Sequence, residues 1–489
     1  VICVVSAGNS ATSLDPYVVE GVSDTGVVGS PGTASDALQV ASSNNSMITL
    51  PAVTAVVNGE AHLMGYTQCD IDPIDVFTSD NNLQLVDCGF GNPADFDGKD
   101  LAGKVAFISR GDITFVEKQI NAQAAGASAV IIYNNTANQA HINMATDPSI
   151  TIPVIFITNE DATIIKSAAS LDEVTVSFNK EVISMDNPVA GQMSDFTSWG
   201  PTPDLEFAPQ ITAPGGNIYS TLNNNSYGSM SGTSMSSPHV AGATALIIQG
   251  LKDNGIELEG RELVEFVKKT IINTAETLTE KNALEEENIP YSPRRQGSGM
   301  IQTKNAIENR VLALGEDGKA TISLKEIGNT TTFSITLKNY STSDAVYKVT
   351  APCGVLTTIN PGFGITNYMV ADEIIEGATI NFDKEEVVVP ASGQVTVTAT
   401  LNIPEDVEKN IFAEGYIKFI NNNNEDLSLV VPYMGFYGDW SAEKIINDFA
   451  WDFNANNILP ASFAAVKLLG DYNYAGYVGR DEQGNVVLD

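Results

Sequence analysis

At 489 residues the chain is too long for one ordinary core, so about three domains are expected; 43% hydrophobic and 17% charged content suits a globular protein, not a disordered or fibrous one. The 25 basic and 60 acidic residues give a formal charge of −35, which argues against nucleic acid and anionic lipid as partners. No apolar run is long enough for a membrane-spanning helix, so no membrane span is expected in this segment. The acid excess reads as a solvated extracellular surface or, for some carboxylates, as calcium ligands. No EF-hand-type loop is found, and no other cofactor is indicated.

The first residues, "VICVVSAGNS", open on a β-branched run that predicts a strand buried on both faces of a parallel sheet. Cys3 within it is expected to be a buried free thiol. Such a strand needs neighbours, and Val1 follows no Met or signal peptide, so a fragment is expected. After a Gly/Ser/Pro-containing loop, "ALQVASS" predicts a second strand. The texture then changes. "GKVAFISRG", "TFVEKQINAQAAGASAVIIYNN", "TIPVIFIT", "NEDATIIKSAAS" and "EVTVSFN" alternate strand and helix as a compact α/β unit does. Cys69 and Cys88 lie within it and either pair or stay free; Cys353 has no evident partner, and no Cys/His spacing suits a metal.

From Phe196 the Gly/Pro-rich texture returns. "PHVAGATALIIQGLKDNG" predicts a long apolar helix with a glycine stop, and "GRELVEFVKKTIINTAE" an amphipathic one burying Phe266 and Val267. After about residue 310 helices give way to short alternating strands, from "ATISLKEIGNTTTFSITLKNYS" to "DLSLVVPYMGF", as in an antiparallel β-sandwich. The last fifty or so residues open a further unit without completing it.

The sharpest chemical signal is "SGTSMSSPHVAG", residues 231–242. Ser234 stands at the mouth of the long helix, where unpaired N–H groups and the helix dipole favour developing negative charge. Pro238 is tolerable if it falls near the first turn. Taken alone, "GTS" reads as an ordinary helix cap. The longer string changes that: "GTSMSSPHVAG" closely resembles the nucleophile signature of the subtilisin family. "TAPGGNIYSTLNNNSYGSMSGTSM" resembles that family's approach to the active serine, and "FTSWGP" the strand before it. "VVSAGNS" resembles the strand and turn bearing the oxyanion-hole Asn, "GSPGTASDALQVAS" the strand beside the specificity pocket, and "RRQGSGMIQ" the close of the catalytic domain.

The resemblance implies Ser234 as nucleophile and Asn9 as oxyanion donor, together with the Ser234 N–H. It also implies that Ser6, Ala7 and Gly8 line a specificity pocket with Gly29 near its floor. Small residues there suit a large apolar substrate side chain, and Thr233 flanks the bound substrate. Polypeptides are the implied substrates. The family also needs an Asp and a His, and both precede the oxyanion Asn in its chain order. Of the three histidines, His239 matches a structural position, while His62 and His141 fall in the α/β unit. The fragment is therefore expected to lack its catalytic Asp and His, to be inactive alone, and to have the missing N-terminal part of the catalytic domain as a partner.

The implied architecture is an incomplete α/β subtilisin-like parallel sheet, residues 1–48 and 191–309, interrupted by an α/β insert at 49–190. A β-sandwich at 310–437 and the start of a truncated domain at 438–489 follow. The insert resembles a protease-associated domain, either a substrate-admitting wall or passive packing; its "SRGD" also admits an integrin-ligand reading. The sandwich resembles the fibronectin type III-like domain of cell-envelope proteinases of Gram-positive bacteria, implying a secreted or cell-wall-attached enzyme. Lactocepin-like and complement-cleaving streptococcal enzymes share this plan. A catalytically dead surface adhesin on the same scaffold is the alternative.

Overall fold

The structure, a computed structural model, describes residues 1–12, 26–77, 82–137, 141–142, 144–223, 226–279, 289–359 and 371–442, with the strands Phe463–Leu468, Asp471–Arg480 and Val486–Leu488. Strands Val4–Ser6, Leu38–Asn44 and Ile211–Gly216 form a three-stranded parallel sheet with Leu38–Asn44 in the middle. The middle strand is buried almost throughout, as a strand covered on both faces must be. The first strand departs from expectation. It is short and only half-buried, and Cys3 before it is exposed. Among the described residues Val4–Ser6 pairs with Leu38–Asn44 alone.

The long helix Thr233–Asp253 packs Val240, Ala243, Ile247 and Leu251 into one cluster with Leu38, Val40, Ile211 and Ala213 of that sheet. The helix Gly260–Asn273 joins it through Phe266, Val267 and Ile271, the face its periodicity marks as apolar. Gly255, at φ +74°, follows the end of the long helix in the left-handed conformation that stops helices. Pro238 is a correction. The helix starts at Thr233, so Pro238 lies in its second turn, not its first. Having no N–H, it cannot bond the Ser234 carbonyl four residues back.

Between Leu38–Asn44 and Ile211–Gly216 the chain builds an eight-stranded sheet running from Met47 to Asp186. Leu83–Asp87, Val105–Ser109, Ala129–Tyr133 and Val154–Ile157 run parallel at its centre, with antiparallel strands on both sides. Helices Phe115–Ala124 and Asn159–Lys166 are capped by Thr114 and Thr158, whose hydroxyls accept the Glu117 and Asp161 N–H groups. Cys69 and Cys88 are free. They follow the strands Thr67–Gln68 and Leu83–Asp87, four strand positions apart, about 19 Å at ordinary spacing and far beyond disulfide reach. The "SRGD" loop is fastened to its own domain. Arg110 donates to Asn134, Asp112 accepts from Asn92, and the buried Lys118 donates to the Gly111 carbonyl.

Beyond residue 310 two sheets face each other. Val311–Leu314, Thr330–Asn339, Gln394–Asn402 and Thr379–Phe382 form one, and a seven-stranded sheet around Ile411–Asn421 and Leu429–Tyr437 forms the other. Phe333, Ile335, Leu337, Val397, Ala399 and Leu401 fill the core between them. Their alternating neighbours pair outside, Thr332 with Thr400 and Thr336 with Thr396. The sandwich is not purely antiparallel. Ile322–Ile327 leaves the first sheet between Leu314 and Thr330 and lies parallel to Leu429–Tyr437. Of residues 438–489, the described strands form a three-stranded antiparallel sheet; the rest of that expectation lies outside the described residues.

A buried polar knot joins the sandwich to the parallel-sheet unit. Arg294 and Glu414 are both fully buried, with Arg294 Nε 2.9 Å from Glu414 Oε2. Ser292 Oγ donates to Glu414 Oε1 at 2.6 Å, Arg294 reaches Thr358 and the Gly200 carbonyl, and Phe412 lies 4.0 Å from the guanidinium.

Candidate active site

Two segments far apart in sequence meet at the start of the long helix. The turn after Val4–Ser6 is held by backbone bonds from Ala7 N–H to the Val40 carbonyl and from Ser198 N–H to the Gly8 carbonyl. Gly8 adopts φ +110°, and an added Cβ there would sit 2.7 Å from Ser198 Oγ, so glycine is required. This turn sets Asn9 against the helix. Asn9 Oδ1 accepts from both Thr233 N–H and Thr233 Oγ1, each at 2.9 Å, and Thr233 Oγ1 accepts the Gly8 N–H at 3.1 Å. Thr233 is fully buried between them, whereas Asn9 and Ser234 are exposed.

Fixing the Asn9 oxygen on Thr233 leaves its Nδ2, close to Gly232, as a donor with no acceptor among the described residues. Ser234 is the second residue of the helix, so its N–H has no helical acceptor, and none is found among the described residues. Two donors and a hydroxyl thus gather at the positive end of a 21-residue helix. That is chemistry suited to an oxyanion.

The remaining residues singled out in the sequence cluster beside this point. Gly29 N–H donates to the Ala7 carbonyl at 3.1 Å, so Gly29 lies against the Ser6–Gly8 turn. An added Cβ at Gly29 would meet nothing within 4 Å, which leaves open space above it. The histidines stand elsewhere. His141 is bonded to the Gly65 carbonyl inside the second sheet unit, where burial lowers its pKa against the opposing pull of that carbonyl and Asp161. His62 is on the strand Glu60–Gly65, and His239 is five residues past Ser234 on the same helix.

Sequence reasoning missed two supports. Ser198, within "FTSWGP", accepts the Ser10 N–H on its Oγ at 3.0 Å and so clamps the Asn9 turn from outside. Gly215 accepts the Gly232 N–H on its carbonyl at 2.9 Å, and an added Cβ would lie 2.0 Å from Ser236 Oγ. The glycine pair in "APGG" was the available signal. Among the described residues no group of three or more His, Cys, Asp or Glu is arranged to hold a metal. Glu206 is paired with Lys319 at 2.8 Å and Lys325 at 2.7 Å.

Comparison with known proteins identifies the family of the chain. Residues 1–299 match the family model described as "Subtilase family", and residues 322–434 match an "Fn3-like domain". The chain is 34% identical to the PII-type proteinase of Lactococcus lactis subsp. cremoris across 99% of its own length and 27% of that protein. It is 36% identical to the minor extracellular protease Vpr of Bacillus subtilis over 63% of this chain and 37% of that one. Against the C5a peptidase of Streptococcus pyogenes it is 28% identical over 87% of this chain and 36% of that one. The chain therefore spans about a quarter to a third of the length of these relatives. Among solved structures, a zinc aminopeptidase from Bacillus subtilis aligns over 28% of this chain and 34% of its own at 28% identity, with a TM-score of 0.22, too low to bear on the fold. With a subtilase match over most of its length and an Fn3-like sandwich behind it, the chain belongs to the subtilase family.

Proposed function

We propose that the protein is a serine endopeptidase acting on extracellular polypeptides, with Ser234 as its nucleophile. Ser234 Oγ adds to the scissile carbonyl carbon, the C–N bond breaks, and the amine leaves with a proton. Water then hydrolyses the acyl-serine ester. Asn9 Nδ2 and the Ser234 N–H stabilise the oxyanion of each tetrahedral intermediate. Thr233 holds the Asn9 amide in register, while Ser6, Ala7, Gly8 and Gly29 border a pocket for a large apolar side chain. The observation that carries the reading is the double hydrogen bond between Asn9 and Thr233, across 224 residues of sequence.

No histidine of this chain fits the role of general base. His239 lies about 7.5 Å along the helix from Ser234 and about 140° around it. His62 and His141 are engaged in the second sheet unit. With no histidine placed for the role, the general base and its orienting Asp are contributed from outside these 489 residues, and the chain alone is inactive. The 49–190 unit reads as a protease-associated domain set between catalytic segments 1–48 and 191–309, with the sandwich at 310–437 and a further domain opening at 438–489. A secreted or cell-wall-attached location in a Gram-positive bacterium fits the acidic surface and a relative named as an extracellular protease.

The test is kinetic. In the complete gene product carrying this chain, Asn9→Leu should lower kcat by about 10²–10³ with little change in KM, the loss found on removing the equivalent donor in subtilisin. A kcat within about threefold of the parent would remove Asn9 from the mechanism.

A further inference from the structure

The two strands leading into the long helix, Ile218–Leu222 and Ser226–Met230, form a ribbon that pairs with no other strand among the described residues. Its register puts Tyr219, Thr221, Tyr227 and Ser229 on one face and Ile218, Leu222 and Met230 on the other. On the first face Tyr219 and Tyr227 stack with ring centroids 6.0 Å apart and planes 20° from parallel. They stay 38% and 61% exposed, an unusual cost for two aromatic rings. The same face adjoins the second sheet unit, where Ser229 Oγ donates to the Thr49 carbonyl at 2.8 Å. Met47, two residues before Thr49, is also exposed.

The ribbon's place gives this patch a use. It follows the Ile211–Gly216 strand, whereas the Ser6–Gly8 turn follows Val4–Ser6, two positions across the sheet and about 10 Å away. Ser234 is reached from the ribbon through Ser231, Gly232 and Thr233, and Asn217 N–H to Ser231 Oγ ties that link down. A polypeptide whose acyl-side residue occupies the space by Ala7 and Gly29 therefore leaves Ser234 towards the ribbon. Tyr227 is three residues before Met230, about 10 Å along the strand, and Met230 is itself four residues before Ser234, so the Tyr227 ring lies several extended substrate residues from the cut.

We infer that the Tyr219–Tyr227 face is a docking platform for the leaving-group side of the substrate, taking an extended apolar or aromatic segment several residues beyond the scissile bond. The inference rests on the reading of Ser234 as nucleophile. It makes the enzyme selective for long polypeptides over short ones, because the contact lies beyond the reach of a substrate that ends at the leaving group. Paired aromatics also staple isolated ribbons, so the test must separate gripping from folding.

The experiment compares two substrates in the complete gene product. One is a peptide p-nitroanilide, which has no chain beyond the scissile bond. The other is a peptide with the same acyl side and six further residues, including Phe at the fourth. The variants are Tyr219→Thr/Tyr227→Thr, which keeps strand propensity, and Tyr219→Phe/Tyr227→Phe, which keeps the rings. For the Thr pair, the ratio of kcat/KM for the long peptide to that for the anilide should fall about tenfold, mostly through KM, as for loss of aromatic anchors. The Phe pair should keep the parent ratio. An unchanged ratio in the Thr pair overturns the inference, as does equal loss on both substrates with retained fluorophosphonate labelling, the mark of a stapling role. Loss of labelling in the parent itself would instead fault the nucleophile assignment.

Discussion

Replacing Glu414 by Ala strikes the joint between the sandwich and the parallel-sheet unit. The side chain is fully buried and accepts from Arg294 Nε at 2.9 Å and Ser292 Oγ at 2.6 Å. Its removal takes the Glu414 charge away from a buried guanidinium, and breaking a buried pair from one side ordinarily costs about 3–5 kcal/mol. Thr358 Oγ1, the Gly200 carbonyl and the Phe412 ring still face Arg294, which puts the expected loss near the lower end, about 3 kcal/mol. Replacing both partners by apolar residues, Arg294→Met with Glu414→Leu, should recover most of that loss, because the guanidinium goes with its carboxylate and the remaining buried acid, Asp372, keeps the Ser292 N–H as donor. Urea unfolding of the chain, followed by tryptophan fluorescence, reads both variants. Trp199 and Trp440 flank the knot, Trp440 packing on Phe412 and Phe436. A midpoint loss equivalent to under about 1 kcal/mol for Glu414→Ala at unchanged m, or a double variant as weak as the single one, would refute the reasoning.

Three other outcomes follow from named contacts. Thr233→Val should cost about 1–3 kcal/mol in the same assay, because the Gly8 N–H loses its acceptor, while Thr233→Ser should restore most of it. Burial pushes the Glu206 carboxyl up, but Lys319 and Lys325 outweigh it and hold the group below its ordinary 4.5. The folded value is below the unfolded one, so this stabilisation is present above about pH 5 and fades as acid protonates the group. The fall in urea midpoint from about pH 5 to about pH 3 should accordingly be shallower in Glu206→Gln. With a thiol reagent at neutral pH, exposed Cys3 should react first and Cys88 only on unfolding, its thiol being raised to about 11 chiefly by burial. Prompt labelling of Cys88 in the folded chain would contradict the packing.

Much of the site was legible because it rests on residue types with few alternatives. A serine two residues past a glycine at the start of a long apolar helix, and an Asn after a β-branched strand and a glycine, are local patterns, and the structure sets Asn9 against Thr233, the residue before that serine. The alternation of Thr with Phe, Ile and Leu likewise marked the two faces of the sandwich in advance. What stayed hidden depends on pairing across long distances. Whether Val4–Ser6 is covered, and hence whether Cys3 is buried, is decided by neighbours that the local string does not name. The same holds for Cys69 and Cys88, which look close in sequence but sit at strands four positions apart. The Pro238 expectation erred by one turn because only the structure fixes where the helix begins. The parallel course of Ile322–Ile327 arises from a sheet change that no alternation pattern records.

The central claim, that Ser234 is an activated nucleophile, is tested most directly by exposing the complete gene product to a fluorophosphonate probe and locating the adduct by mass spectrometry. A single adduct on Ser234, abolished in Ser234→Ala, is the result expected. Absence of any adduct in the intact product, or an adduct that persists after Ser234→Ala, would contradict the account and favour a surface-binding protein on the same scaffold.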